Sequence, residues 1–263
     1  MHIVVCVKQV PDTTNVRINP ETNTLMREGV ESIINPFDEY ALEEALRLKD
    51  AHGARVTVVS MGPPQAEVVL REAMARGADD GVLLTDRAFA GADTLATSYA
   101  ISQAIRKVNA KPDLVLFGKQ AIDGDTAQVG PGVSEFLGFP LVTYVKSIHI
   151  DGKTFTVETL MDDGIDVIEG RMPAVMTVVK EAATPRFSTL GGWMQAKRTA
   201  IPRWGANDVE AAAGMCGLSG SPTKVVKIFA PPTKTGGTRM DGREQPSAAV
   251  QAIVNLLHEK GVA

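Results

Sequence analysis

The sequence predicts an α/β protein: a doubly wound parallel sheet, an antiparallel extension and a protruding C-terminal arm. Three observations lead there. In the first half, apolar runs such as "HIVVCVKQV", "ARVTVVSMG" and "PDLVLFG" alternate with amphipathic stretches of helical period. Strands this apolar, separated by helices, are those of a parallel sheet covered on both faces. Next come "LVTYVKSIHI", "KTFTVETL", "GIDVIEG" and "PAVMTVV", divided by Asp-Gly turns, as antiparallel neighbours would be. Regular patterning weakens after Lys180, where Pro185, Gly191, Gly192, Pro202 and Gly205 break up the chain.

The elements follow in order. "HIVVCVKQV" is the first strand. "NPFDEYALEEALRLKDAHG" is a helix that Asn35 can cap, with Pro36 in the first helical position and Asp38 and Glu39 in the first turn. Phe37, Ala41, Ala45 and Leu48 share its inner face, Glu43 and Arg47 make an i, i+4 pair on the other side, and Gly53 ends it. A strand ending in "VSMG", a helix "PQAEVVLREAMARGA" and a short strand "DGVLLTD" come next. "ADTLATSYAISQAIRKV" is a helix with Asp93 as its cap. "PDLVLFG" leads into a helix read as "TAQVGPGVSEFLG". After the antiparallel strands, the arm holds one short helical piece, "GWMQAKR". A flexible "PPTKTGGTRMDGREQP" then precedes an amphipathic last helix, "SAAVQAIVNLLHEKG". This divides the chain into an α/β part at 1–180, an arm at 181–205 and a C-terminal segment at 206–263.

Composition narrows the function. With 27 basic and 31 acidic residues the formal charge is −4, and aromatic residues make up 5% of the chain. Neither favours a nucleic-acid or anionic-membrane surface. Cys6 and Cys216 are far apart and form no disulfide framework, which fits a reducing, cytoplasmic setting. The apolar N-terminus lacks the basic region and cleavage site of a leader, and no run reaches membrane-spanning length. His2, His52, His149 and His258 are scattered without metal-ligand spacing and read as structural. No serine–histidine–aspartate set suggests hydrolysis, and no side chain stands out as a catalytic acid or base. Trp193 and Trp204 flank the arm as packing residues.

The densest signal is "GKQAIDGDTAQVGP", Gly118 to Pro131, at the end of a buried strand. In an open parallel sheet ligands sit beyond the carboxyl ends of strands, where strand order reverses. Gly118 and Gly124 permit close backbone approach. Amides of Thr126 to Val129 at a helix start would seat a phosphate, with Thr126 and Gln128 as side-chain donors. Asp123 and Asp125 repel a phosphate and suit ribose hydroxyls, helix caps or a position turned away from it, and Asp125 with Gln128 resembles a capping box. The plainer alternative is a capped strand-to-helix turn without ligand. The loop has no Walker ending, and no GxGxxG turn follows the first strand. "CVKQVPDTT", and Met61 with Gly62, supply two further ligand-compatible turns.

Taken together, "CVKQVPD", "NPFDEYALEEALRLK", "VSMGP", "GKQAIDGDTAQVG", "MPAVMTVVKEAATPRFSTL" and "MQAK" resemble the beta subunit of electron transfer flavoprotein in order and spacing, almost end to end. The resemblance implies a Rossmann-like, adenine-nucleotide-binding fold and pairing with an alpha subunit. It also implies a site lined by Cys6, Asn35, Pro36, Phe37, Asp38 and Met61. The rest of that site is Gly118, Lys119, Gln120, Ala121, Ile122, Asp123, Gly124, Asp125, Thr126, Ala127, Gln128 and Val129. In one branch of the family this site holds a structural AMP. In the electron-bifurcating branch it holds an FAD that NADH reduces. "DRAFAGADTLATSYAI" resembles the second branch, where Asp93, Thr94 and Thr97 would meet the longer dinucleotide. A capped helix without ligand fits the same residues.

The stretch "TPRFSTLGGWMQAKR" resembles the family's recognition loop, in which Leu190 matches the leucine that docks on a flavin-containing dehydrogenase, with Arg186 serving the subunit contact. The sequence departs from the family pattern at Asp166, where glutamate is usual, at Gly191, Gly192 and Trp193, and in a basic run reduced to Lys197 and Arg198. These departures bear on which dehydrogenase is the partner. A nucleotide-binding regulatory module is the alternative of another class, but it has no need of the arm. A nucleotide-cleaving enzyme would need the phosphate loop and metal ligands the chain lacks.

Overall fold

A computed structural model describes residues 1–12, 17–18, 25–26, 32–226 and 236–262. They form two compact units, Met1–Lys227 and Ile228–Ala263. The first is built on a nine-stranded sheet. Its strands are β1 (His2–Cys6), β6 (Arg55–Met61), β7 (Asp80–Leu84), β8 (Leu114–Gly118), β9 (Leu141–Asp151), β10 (Thr154–Leu160), β11 (Ile165–Arg171), β12 (Ala174–Val178) and β13 (Arg203–Trp204). Their spatial order is β11-β10-β9-β12-β8-β1-β6-β7-β13. Two short pairs stand apart from it: β2 (Gln9–Pro11) with β5 (Ser32–Ile34), and β3 (Arg17–Ile18) with β4 (Leu25–Met26).

Pairing is parallel from β9 through β12, β8, β1, β6 and β7 to β13, and antiparallel along β9, β10 and β11. This is the doubly wound sheet with its antiparallel extension. Helices cover both faces. On one face α1 (Pro36–His52) and α2 (Glu67–Arg76) bury Leu42, Leu46, Leu70 and Met74 against Ile3, Val5, Val58, Leu116 and Met176. On the other, α3 (Thr94–Val108) and α4 (Val129–Leu137) bury Ile101, Ile105 and Val133 against Val4, Val59, Val115 and Val175. Alternate residues of one strand serve opposite cores, as a period of two requires. Trp193 packs on the first core and Trp204 on the second.

From β1 the chain winds through α1, β6, α2 and β7 to one side, then returns through α3 to β8 on the other side of β1. The strand order therefore reverses between β1 and β8, and this is where a ligand cleft belongs.

Several local expectations need correction. Glu43 does not pair with Arg47. Arg47 bonds Glu44 at 2.7 Å, while Glu43 is buried and takes Arg186. Asn35 precedes α1, but its side chain makes no cap bond. Helix α4 begins at Val129, three residues later than read, and no Asp125–Gln128 capping box forms. Gln128 is the cap residue without a side-chain cap bond, and Asp125, at φ 52°, accepts from Gln120 Nε2 instead. Asp93 does cap α3, accepting from Leu95 and Ala96 at 3.0 and 3.1 Å.

Residues 181–201 run back over the first face. Arg186 is fixed to α1, α5 (Leu190–Arg198) packs on α2, and β13 adds an edge strand beside β7. Phe187 and Leu190 stay 94% and 80% exposed. The second unit contains α6 (Pro246–Glu259), on which Val250, Ile253, Val254 and Leu257 make one apolar stripe. Among the described residues no helix is long and apolar enough to cross a membrane, and no His, Cys, Asp or Glu group has the makings of a metal site.

Candidate functional site

The site is assembled where β1 and β8 end. Strand β8 finishes at Gly118, and the first turn of α1 lies directly against it. A Cβ at 118 would overlap Asp38 Oδ1 and the backbone of Phe37 and Asp38, so only glycine allows this approach. The buried Asp38 carboxylate joins both strand ends. Oδ2 accepts from the Lys8 amide at 2.8 Å, and Oδ1 from the Gly118 amide at 3.2 Å. Burial pushes its pKa up to about 7, with the Lys8, Asn35 and Gly118 hydrogen bonds and the Lys8 charge opposing the rise.

Asn35, fully buried, reaches from the same turn into the loop. Its Nδ2 donates to Gln120 O at 2.8 Å, and its Oδ1 accepts from the Ile122 amide at 3.1 Å. Lys8 Nζ pairs with Asp123 at 2.7 Å across the cleft mouth. Both partners are partly exposed, so this tie is weak. Lys119 Nζ lies 5.2 Å from the centroid of the Tyr144 ring.

Beyond Ile122 the loop turns outward. Ala121 O accepts from the amides of Gly124 and Asp125. Asp125 and Ala127 both have left-handed backbone, at φ 52° and 54°. For a residue with a Cβ this costs about 1–2 kcal/mol. Among the described residues nothing accepts from the amides of Thr126, Ala127, Gln128 and Val129. These consecutive N–H groups thus stand free at the start of α4.

Helix α3 approaches from the opposite face. Ser98 Oγ donates to Thr94 O at 2.6 Å and to Val129 O at 3.2 Å, and a Cβ at Gly132 would overlap Ser98. The beginnings of α3 and α4 are therefore locked together through Ser98. Asp93 has its carboxylate already engaged: besides capping α3 it accepts from Thr223 N and Oγ1 at 3.1 and 2.9 Å.

Of the residues singled out from sequence, the switch point brings together Cys6, Asn35, Pro36, Phe37, Asp38 and the run Gly118–Val129. Met61 ends the neighbouring strand β6. Cys6 is buried in the second core, and burial, then the nearby Asp38 charge, push its thiol pKa well up. Thr13 and Thr14, at the far end of the first turn, lie outside the described residues. Arg186 and Leu190 sit apart from this cleft, on the α1 and α2 side. Arg186 spends its guanidinium within the chain, on Glu43 at 3.0 Å and Asp50 at 2.9 Å. Lys8 is the residue sequence reading passed over. Its signal was a cation immediately past the first buried strand.

Across its length the chain can be set beside known proteins. The model of the electron transfer flavoprotein domain matches residues 22–209. The chain belongs to the electron transfer flavoprotein family. It is 51% identical over 260 residues to the electron transfer flavoprotein subunit beta of Clostridium acetobutylicum, covering 99% of each chain. It is 49% identical to the caffeyl-CoA reductase-Etf complex subunit CarD of Acetobacterium woodii, covering 100% of each. With the protein FixA of Azotobacter vinelandii it shares 50% over 241 residues, 88% of this chain and 84% of that one. The likeness to the flavoprotein's beta subunit thus runs the full length of the chain.

Within this family member a second opening lies at the amino ends of the strands, far from the switch point. His2, Arg55, Asp80, Lys107, Asn109 and Trp204 line a cavity of about 450 Å³. Its polar groups are paired with one another. His2 bridges Asn109 and Thr57, Arg55 holds Asp80, and Lys107 covers the Trp204 ring. Burial, then the Arg55 charge, lower the His2 pKa. The switch-point loops, with free amides, are the better equipped of the two.

Proposed function

We propose that the chain is the beta subunit of a heterodimeric electron transfer flavoprotein and holds the adenylate part of FAD at the ends of β1, β6 and β8. The observation that carries this reading is the run of four free amides, Thr126 to Val129, at the strand switch point. The left-handed Ala127 followed by the right-handed Gln128 is the kind of alternation that turns successive N–H groups toward one anion. Lys8 and Lys119 add positive charge at the rim, and Asp123, near the mouth, suits a ribose hydroxyl. Thr94 and Thr97, in the first turn of α3, would add hydroxyl donors for a longer dinucleotide.

When bound, the flavin supplies the redox chemistry, with NADH as the electron donor and bifurcation as the outcome. The protein's own task is to hold it, orient it and shield it from water. An alpha subunit is the permanent partner. A flavin-containing dehydrogenase docks on the arm, where Leu190 and Phe187 offer exposed apolar anchors on a backbone fixed at Arg186 and at the Thr189 cap. The relative named as part of a reductase-Etf complex supports an assembly of this kind. The setting is cytoplasmic.

The test is the nucleotide content of the protein co-purified with its alpha subunit, after acid release. About two FAD per heterodimer and no AMP is the expected result. One FAD with one AMP would overturn the FAD and bifurcation reading and make this a simple electron carrier with a structural nucleotide. The specific observation favouring that second reading is Asp93, whose carboxylate is already taken by α3 and Thr223.

A further inference from the structure

We propose that Asn35 and Asp38 are positioning residues that brace the loop 118–125 into its ligand-receiving shape, Asn35 without touching the ligand itself. The inference rests on the nucleotide reading above and deepens it. Asn35 has no exposed surface, so a ligand cannot reach it. Its amide group is used at both ends by loop backbone, on Gln120 O and Ile122 N. A residue in its place ordinarily caps its own helix. Here part of that work is unneeded: Pro36 has no N–H, and the Asp38 and Glu39 amides bond the Asn35 carbonyl oxygen. The side chain is released for the loop.

Asp38 completes the brace one helical turn on. Its two oxygens take one amide from each flanking side of the switch point, Lys8 after β1 and Gly118 at the end of β8. Gly118 has no side chain to hold the helix away. One turn of α1 thereby fixes both strand ends and the first half of the loop. The second half needs such support. Asp123 to Thr126 are exposed and have no core of their own, and Asp125 and Ala127 hold left-handed backbone. Conformations of this kind persist only where the surroundings over-determine them.

The test uses the full chain with its alpha subunit. Variants Asn35→Asp, Asn35→Ala and Asp38→Asn are compared with Leu46→Ala, a control in the α1 core away from the loop. Two quantities are read: amide hydrogen exchange over 118–129 after nucleotide is stripped, and affinity for added AMP and FAD. Asn35→Asp keeps the shape but loses the donor. It is expected to speed loop exchange and weaken nucleotide binding, each by about tenfold or more, as Asn35→Ala does. Asp38→Asn keeps one acceptor and should fall between. Leu46→Ala should lower global stability and leave both readings unchanged.

Loop exchange unchanged in the Asn35 variants would overturn the brace. Weakened nucleotide binding without a change in loop exchange would also overturn it, because that pattern marks a direct ligand contact. If Asn35→Asp does not fold, Asp38→Asn decides by the same two readings. Should the parent bind neither AMP nor FAD, the nucleotide reading falls, and the ligand-free exchange data still decide whether the brace exists.

Discussion

Replacing Arg186 with alanine would leave a carboxylate behind in the wrong place. Arg186 Nε and Nη2 form a fork on Glu43, each at 3.0 Å, and its own backbone amide adds a third bond at 3.0 Å. The Glu43 side chain is 8% exposed, whereas that of Arg186 is 33% exposed. Removing one partner of a fully buried pair costs about 3–5 kcal/mol, mostly from the charge left unpaired. Two features reduce that here. The guanidinium is partly solvated, and the amide of residue 186 remains to hold Glu43. Asp50, at 62% exposure, adds only the few tenths of a surface pair. The expected loss is about 2 kcal/mol, or about 4–8 °C in Tm for a chain of this size. Thermal unfolding of Arg186→Ala reads it directly. A second substitution, Glu43→Gln, removes the stranded charge and should recover at least half of the loss. A Tm drop under 1 °C, or no recovery in the double variant, would refute the claim that this pair pins the arm to α1.

Gly118→Ala drives a Cβ into Asp38 and the α1 backbone and should cost several kcal/mol, seen as a lower urea midpoint or insoluble protein. The raised Asp38 pKa gives stability a definite slope with pH. The folded state keeps a proton that the unfolded state releases near pH 4, so this group's contribution is full below pH 4 and is lost as pH rises through about 7. The loss is on the order of 4 kcal/mol, and Asp38→Asn should flatten the slope in urea unfolding measured from pH 4 to 8. Lys8→Ala removes an exposed pair with Asp123 and should change stability by less than about 1 kcal/mol, checked by the same unfolding curves. Leu190→Ala, at an exposed site, should leave Tm unchanged while slowing electron delivery to the dehydrogenase, measured by steady-state dye reduction.

The sheet was legible because its signal is repetitive. The buried strands β1, β6 and β8 carry unbroken apolar runs, and Gly53 and Asp93 mark helix ends by local rules. What failed was local chemistry overridden by distant partners. Asn35 looks like a cap, but its side chain serves a loop 85 residues away. Glu43 has a suitable arginine four residues on, but a different arginine, 143 residues distant, claims it. Strand β13 could not be found from its two residues alone, because an edge strand this short exists only through β7. At the site, the glycines and polar residues of 118–131 flagged a special turn correctly. Helix α4 starts later than the sequence pattern suggests, because left-handed backbone at Asp125 and Ala127, neither of them glycine, leaves no mark in sequence.

The most direct test of the account is to locate the nucleotide. The heterodimer, stripped of nucleotide, is labelled with an 8-azidoadenine analogue of AMP under light, and the labelled peptides of this chain are identified by mass spectrometry. Label in the segments 118–131 and 61–62, competed by unlabelled nucleotide, is the expected result. Competed label confined to the cavity of His2, Arg55 and Trp204 at the other end of the sheet, with none on the switch-point loops, would contradict it.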